Sequence, residues 1–71
     1  MEKPKVGDNV HYQPKHYQER DFWENGVVKE VRADVDDAVW VVYNCGGEWH
    51  RYQEFTSAKT RLIDLVAGWR Y

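Results

Sequence analysis

Four side chains in this sequence are of types that bind metals or act in nucleophilic catalysis: His11, His16, Cys45 and His50. His11 and His16 lie five residues apart, as do Cys45 and His50, and neither pair has the short spacing of a zinc motif. No catalytic motif or oxyanion-hole element accompanies the Cys45 thiol. We therefore predict no catalytic residue, no metal and no cofactor, so the protein is not expected to be an enzyme. Cys45 is expected to be a small, partly buried turn residue.

The overall charge argues against binding to duplex nucleic acid. Ten Lys and Arg residues stand against twelve Asp and Glu, for a net charge of −2, and no basic run occurs. A single cysteine cannot form an internal disulfide and suits a reducing compartment. Residues 1–6 lack the apolar segment of a signal peptide, and no apolar run approaches the roughly 18 residues of a membrane span. We expect a cytoplasmic protein with one domain, residues 1–71, whose residues 1–5 fray.

Eleven aromatic residues make up much of the apolar content, and each can bury about 150–250 Å². Three of them, Tyr17, Phe22 and Trp23, lie in residues 13–25, where no helical or strand period is visible. Connections of this length are uncommon in a small domain and are often functional. We expect an ordered loop that folds back on the rest of the domain.

The elements that must position these side chains are short strands. Residues 38–44 alternate, with Val39, Val41 and Tyr43 on the predicted core face and Trp40 and Val42 on the other. Residues 44–47 contain two glycines that permit a reversal with positive φ, so residues 49–52 are predicted to return as the second strand of a central hairpin. Trp40 and Val42 must then be covered by other residues or form a dimer face.

The remaining strands are predicted at residues 10–12, 27–32 and 62–66, with Ile63 and Leu65 facing inward. Turns are predicted at residues 6–9, 25–26 and 33–37, a bulge near residues 29–30, and a helical turn within residues 53–60. Five short strands with one helical turn before the last indicate an all-β barrel.

The pattern formed by Gly7, Val10, residues 26–28, residues 39–47 and residues 62–65 resembles the Tudor branch of the Src-homology-3-like barrels. This resemblance implies a small five-stranded barrel with a helical turn before its last strand. Residues 43–49, Tyr52 and residues 68–69 also resemble a group of small bacterial or phage proteins.

Tudor domains bind methylated arginine or lysine in an aromatic cage through cation–π attraction. The resemblance implies that Trp23 and Tyr43 occupy cage positions. Asn44 and Cys45 stand where the family's turn carries an acidic and an aromatic residue, so this turn departs from the pattern.

We therefore predict a non-catalytic binding module that holds a protein or peptide between the loop of residues 13–25 and the hairpin of residues 44–52. The predicted contact residues combine aromatic rings with two polar side chains. They are Tyr17, Trp23, Tyr43, Asn44, Glu48, Trp49 and Tyr52.

Two alternatives remain open from the sequence. The same rings could stack the bases of a single-stranded nucleic acid, with phosphates facing Lys15, Arg20, Arg51 and Arg61. The rings could also be core residues of a domain that has few aliphatic side chains to bury. A monomer is expected, with weak homodimerisation as the other outcome.

Overall fold

A computed structural model of the chain describes residues 2–14 and 23–70. Within these residues the backbone forms one antiparallel sheet and two 3₁₀ helices, Trp49–Glu54 and Leu62–Asp64. The five strands are β1 (Asn9–Tyr12), β2 (Glu24–Glu30), β3 (Ala38–Val42), β4 (Ala58–Arg61) and β5 (Leu65–Ala67). Their order in the sheet is β4-β3-β2-β1-β5. The predicted all-β class and the helical turn before the last strand are confirmed.

The sheet must be strongly curved because its two edge strands are joined by only three residues. Five strands spaced about 4.8 Å apart would place the edges of a flat sheet about 19 Å apart. The four steps from Arg61 to Leu65 span about 14 Å at most. Among the described residues no hydrogen-bond ladder joins β4 to β5, so the sheet is not closed. The backbone N–H of Leu62 donates to the Asp37 carbonyl, and that of Gln13 donates to the Asp64 carbonyl, each at 2.8 Å.

The core lies on the concave side of this sheet. Val39 and Val41, predicted to face inward, are fully buried together with Val10 and Val28, and Leu65 is buried beside them. Tyr12, Val31, Tyr43 and Leu62 pack against the margin of this cluster. The cluster follows the period-two alternation of the strands, while Val27, Ala38 and Val42 are buried on the opposite face.

The first half of the chain follows the sequence prediction with one exception. The first strand is confirmed, and a register shift between Val28 and Glu30 confirms the bulge. The predicted turn at residues 25–26 is wrong, because Asn25 and Gly26 lie within β2, opposite His11 and Val10. A Cβ at Gly26 would lie 2.5 Å from Cγ1 of Val41, so this glycine permits close packing and does not form a turn.

The predicted central hairpin is wrong. Gly46 and Gly47 do reverse the chain with φ of +61° and +83°. The chain then continues into the 3₁₀ helix Trp49–Glu54, with the Glu48 N–H donating to the Cys45 carbonyl at 3.0 Å. β3 pairs with β2 on one side and with β4 on the other, so neither edge of β3 is free to pair with residues 49–52.

The last third of the chain also differs from the prediction. The helical turn expected within residues 53–60 is displaced, because the 3₁₀ helix ends at Glu54 and Ala58–Arg61 is a strand. The strand predicted at residues 62–66 begins only at Leu65. Because residues 62–64 form a 3₁₀ helix with three residues per turn, Ile63 points outward and is 62% exposed, while Leu62 packs against the core.

The turns at residues 6–9 and 33–37 are confirmed by hydrogen bonds from Asp8 to Lys5 at 3.0 Å and from Val35 to Arg32 at 3.2 Å. Near the N-terminus, Lys3 Nζ donates to the carbonyls of Arg32 and Val35 at 2.7 and 2.6 Å. The expected fraying of residues 1–5 stays a prediction. No helix within residues 2–14 and 23–70 combines the length and apolar character required to cross a membrane.

Candidate functional site: a cavity beside two tyrosine rings

The predicted contact residues are distributed over several settings, and Tyr17 lies outside the described residues. Trp23 and Trp49 both contact the C-terminal segment 68–70, which lies along the start of β2. Tyr43 lies at the margin of the core. The Tyr52 hydroxyl accepts a hydrogen bond from Gln53 Nε2 at 3.3 Å and lies near Gly7.

The C-terminal segment holds two of the predicted rings in place. The Trp49 ring lies 4.9 Å from the ring of Trp69, and Trp69 Nε1 donates to the Gly26 carbonyl at 2.8 Å. The Arg70 guanidinium lies 5.4 Å from the centre of the Trp23 ring. Trp23 and Trp49 are therefore half-buried by contacts within the chain. Trp69 was not among the predicted contact residues, although the resemblance had drawn attention to it.

The two predicted polar contacts are engaged locally. Asn44 Oδ1 accepts the backbone N–H of Gly46 at 3.4 Å, which closes the turn. The Glu48 carboxylate lies 3.3 Å from Arg51, which also binds Glu54 at 2.8 Å. The hydrogen bond with Glu54 raises the pKa of Arg51, and the same bond lowers the pKa of Glu54. This exposed network holds the 3₁₀ helix Trp49–Glu54 together on its solvent side.

A cavity of about 430 Å³ lies elsewhere, at the end of the sheet where β1 ends and β2 begins. It contains Tyr43 as its one predicted contact residue. The rings of Tyr12 and Tyr43 meet edge to face, with centroids 5.9 Å apart. The described residues that line the cavity are Tyr12, Glu24, Tyr43, Ala58, Lys59, Thr60, Arg61 and Asp64.

Two hydroxyl groups in this cavity are hydrogen-bonded to each other. The Tyr43 and Thr60 hydroxyl oxygens lie 2.7 Å apart and either group can be the donor, and the Thr60 oxygen also lies 3.2 Å from the Ala58 carbonyl oxygen. Burial raises the pKa of Tyr43 to about 12, against the opposing effect of this hydrogen bond. The phenol therefore stays protonated at neutral pH, and its lone pairs can accept a hydrogen bond from a ligand.

Two carboxylates add further acceptors. Glu24 is exposed, whereas Asp64 is buried and lies 3.5 Å from the Arg61 guanidinium. The lining also carries two cations, Lys59 and Arg61, and Arg61 is paired with Asp64, so Glu24 is the carboxylate left to a ligand. The aromatic rings, the Glu24 carboxylate and the phenolic acceptor suit a cationic hydrogen-bond donor.

Three of the four residues first considered for chemistry lie within the described residues. Cys45 is buried and is a free thiol. His11 is buried with Nδ1 2.8 Å from the Gly68 carbonyl, where it ties β1 to the C-terminal segment. His16 lies outside the described residues and His50 is exposed. Within residues 2–14 and 23–70, no group of three His, Cys, Asp or Glu side chains is placed to hold a metal ion.

Sequence reasoning missed six of the described lining residues: Tyr12, Glu24, Ala58, Lys59, Thr60 and Asp64. The sequence signal for Tyr12 was its position in β1. It is the last residue of that strand and lies on the same inward face as Val10, two residues earlier. Glu24 is the residue opposite Tyr12 in the β1–β2 ladder, a register that the incorrect turn at residues 25–26 had concealed. Comparisons of this chain with protein-family models, with curated proteins and with solved structures found no significant match.

Proposed function

We propose that this chain is a non-catalytic binding module for a protein or peptide, and that the cavity lined by the rings of Tyr12 and Tyr43 receives a basic side chain of the partner. The observation that carries the proposal is the edge-to-face pair of tyrosine rings beside the exposed carboxylate of Glu24. A guanidinium or ammonium group would contact the tyrosine rings, donate to the Glu24 carboxylate and donate to the Tyr43 oxygen, while Asp64 stays paired with Arg61.

This site differs from the one predicted from the sequence. Among the described lining residues, only Glu24 falls within residues 13–25 and none falls within residues 44–52. Tyr12 directly precedes the first of these segments and Tyr43 directly precedes the second, so the ligand would lie where both segments begin.

The fold that we propose is a Src-homology-3-like barrel of the Tudor type. The strand order, the strong curvature and the 3₁₀ helix between β4 and β5 support it. The free thiol of Cys45 supports a reducing compartment such as the cytoplasm.

Single-stranded nucleic acid is less well supported as the ligand. Of the four cations considered for phosphate contacts, Arg51 is paired with Glu48 and Glu54, and Arg61 is paired with Asp64. Lys15 and Arg20 lie outside the described residues. Paired cations contribute little net field to a nucleic-acid backbone.

The test is an NMR titration of labelled protein with the capped peptide Gly-Arg-Gly, with Gly-norleucine-Gly as the uncharged control. We expect amide shifts at Tyr12, Tyr43 and Thr60 with the arginine peptide alone. Glu24→Gln should weaken binding several-fold because it removes one carboxylate from the cavity. Glu48→Gln, a matched change outside the cavity lining, should leave the affinity unchanged.

Three results would count against this function. Equal shifts with both peptides would show that the charge is not recognised. Arginine-dependent shifts confined to Trp23 and Trp49 would move the site to the C-terminal segment. Salt-sensitive shifts with a mixed-sequence single-stranded oligonucleotide, and none with the peptide, would make nucleic acid the ligand.

A further inference from the structure

The outer edge of β4 borders the proposed site along its whole length, since all four residues of β4 line the cavity. β4 is an edge strand whose one ladder partner among the described residues is β3. Edge strands present unpaired N–H and C=O groups to which an extended segment can add.

The ladder register identifies which backbone groups point away from β3. In the β3–β4 pairing Ala38 lies opposite Arg61, and the N–H of Leu62 donates to the Asp37 carbonyl at 2.8 Å. Residues 37 and 62 are therefore a hydrogen-bonded pair. In an antiparallel ladder such pairs alternate with pairs that exchange no backbone hydrogen bonds. By this alternation the backbone of Thr60 is bonded to β3, whereas the backbone N–H and C=O groups of Lys59 and Arg61 point toward the open edge.

We infer that the partner binds as an extended strand that adds antiparallel to β4 and exchanges backbone hydrogen bonds with Lys59 and Arg61. This inference rests on the proposed function and specifies how its ligand is held. Antiparallel addition continues the pattern of the sheet, in which all four ladders are antiparallel.

The side chains along β4 define the sequence pattern of this partner. Lys59 lies opposite Trp40, and its Nζ is 5.8 Å from the centre of that ring on the outer face, whereas Thr60 faces the cavity. Partner residues opposite Lys59 and Arg61 share their face and should be acidic. The partner residue between them points into the cavity and should be basic.

The same charges disfavour a second copy of this chain as the occupant. Pairing two β4 strands would bring Lys59 and Arg61 near the same cations of the other copy, and like charges in opposite positions are destabilising. The complementary partner is an extended peptide in which acidic and basic residues alternate.

The experiment uses the capped peptide Glu-Arg-Glu-Arg-Glu and its block isomer Glu-Glu-Glu-Arg-Arg, titrated against the whole chain by NMR. The alternating peptide should bind at least fivefold more tightly. N-methylation of its central Glu should lower the affinity about fivefold or more, because that N–H bonds to β4. N-methylation of an Arg should have little effect, because its N–H points away from β4.

Lys59→Glu should weaken binding of the alternating peptide several-fold, with Lys5→Glu as the control because Lys5 is also exposed and lies outside the cavity lining. Both variants should keep the amide spectrum of the folded protein. Equal affinities for the two isomers, equal effects of the two N-methylations, or peptide-independent dimerisation through β4 would each overturn strand addition. If Gly-Arg-Gly still shifts Tyr12 and Tyr43, the proposed function survives that failure. If neither peptide class shifts the cavity residues, the proposed function fails as well.

Discussion

Gly26 occupies one of the most crowded positions in the fold, in the middle of the β1–β2–β3 sheet. A Cβ there would lie 2.5 Å from Val41 Cγ1, 2.9 Å from the Val42 carbonyl oxygen and 3.0 Å from Tyr43 Cδ1. Its own carbonyl accepts the indole N–H of Trp69. The residue therefore lets the ring of Tyr43 and the C-terminal segment approach β2 together.

Replacement of Gly26 by alanine should lower the free energy of unfolding by about 1–3 kcal/mol, because the added methyl overpacks a buried site. Gly46→Asn is the control. Gly46 has nothing within 4 Å of a built Cβ, and asparagine tolerates its φ of +61°. Urea unfolding followed by far-UV circular dichroism measures both. Equal losses in the two variants would contradict the packing explanation.

The raised pKa of Tyr43 makes stability depend on pH in the alkaline range. The unfolded phenol has a pKa of 10.0 and the folded one about 12, so the contribution of Tyr43 is fully present below pH 10. It is lost as pH rises from 10 through about 12, because the unfolded state releases this proton first.

Tyr43→Phe should therefore make the loss of stability over that pH window shallower than in the unmodified protein. The variant should also be less stable by about 1 kcal/mol at neutral pH, where the hydrogen bond to Thr60 is removed. Thermal unfolding at several pH values provides the comparison. Parallel pH profiles for the two proteins would show that Tyr43 titrates normally.

Among the elements, the C-terminal segment 68–70 joins parts of the chain that are distant in sequence. The Gly68 N–H donates to the Asn9 carbonyl, Trp69 bonds to Gly26, and the Arg70 N–H donates to Asn25 Oδ1. Trp69 also packs on Trp49 and so fixes the 3₁₀ helix Trp49–Glu54 near β2.

Trp69→Ala should cost about 2–4 kcal/mol of unfolding free energy, as the loss of a large packed ring does elsewhere. Trp69→Phe keeps a ring against Trp49 and loses the indole hydrogen bond, so its cost should be about 1 kcal/mol. Chemical denaturation separates the two contributions. A cost for Trp69→Phe equal to that of Trp69→Ala would assign the whole effect to the hydrogen bond.

At this scale the sequence is informative where strands alternate. Val10 and Tyr12, the bulge after Val28, and the inward row of Val39 and Val41 all follow from period-two patterning. Trp49 and Tyr52 favour strands locally, yet the packing of Trp49 against Trp69 and the pairing of β3 with β4 leave residues 49–52 in a 3₁₀ helix. β4 has the sequence Ala-Lys-Thr-Arg, which carries no apolar alternation to reveal it.

The candidate site is less predictable because it is assembled across the whole molecule. Tyr43 could be selected from its position at the end of an alternating strand. Glu24, Thr60 and Asp64 come from three other elements, and only the strand order and the curvature of the sheet bring them to one cavity. Nothing in the local sequence of Thr60 or Asp64 indicates a contact with Tyr12.

For the molecule as a whole, we expect a monomer in solution. Val42, considered as part of a dimer face, is fully buried. Trp40 is only half-exposed. The Arg32 guanidinium lies 4.3 Å from the centre of its ring, and Lys59 Nζ lies 5.8 Å from the same point. Sedimentation velocity over a concentration series should give a constant monomer mass. A dimer that disappears in Trp40→Ala would contradict this expectation and make β3 an interface.

The central claim is that a basic side chain of a partner occupies the cavity beside the rings of Tyr12 and Tyr43. Isotope-filtered NMR of the complex with Gly-Arg-Gly tests it most directly, through intermolecular NOEs between arginine side-chain protons and aromatic ring protons. We predict NOEs from the arginine methylenes to both tyrosine rings, since these rings are adjacent in the cavity lining. NOEs to the rings of Trp49 and Trp69, with none to Tyr12 or Tyr43, would contradict the account.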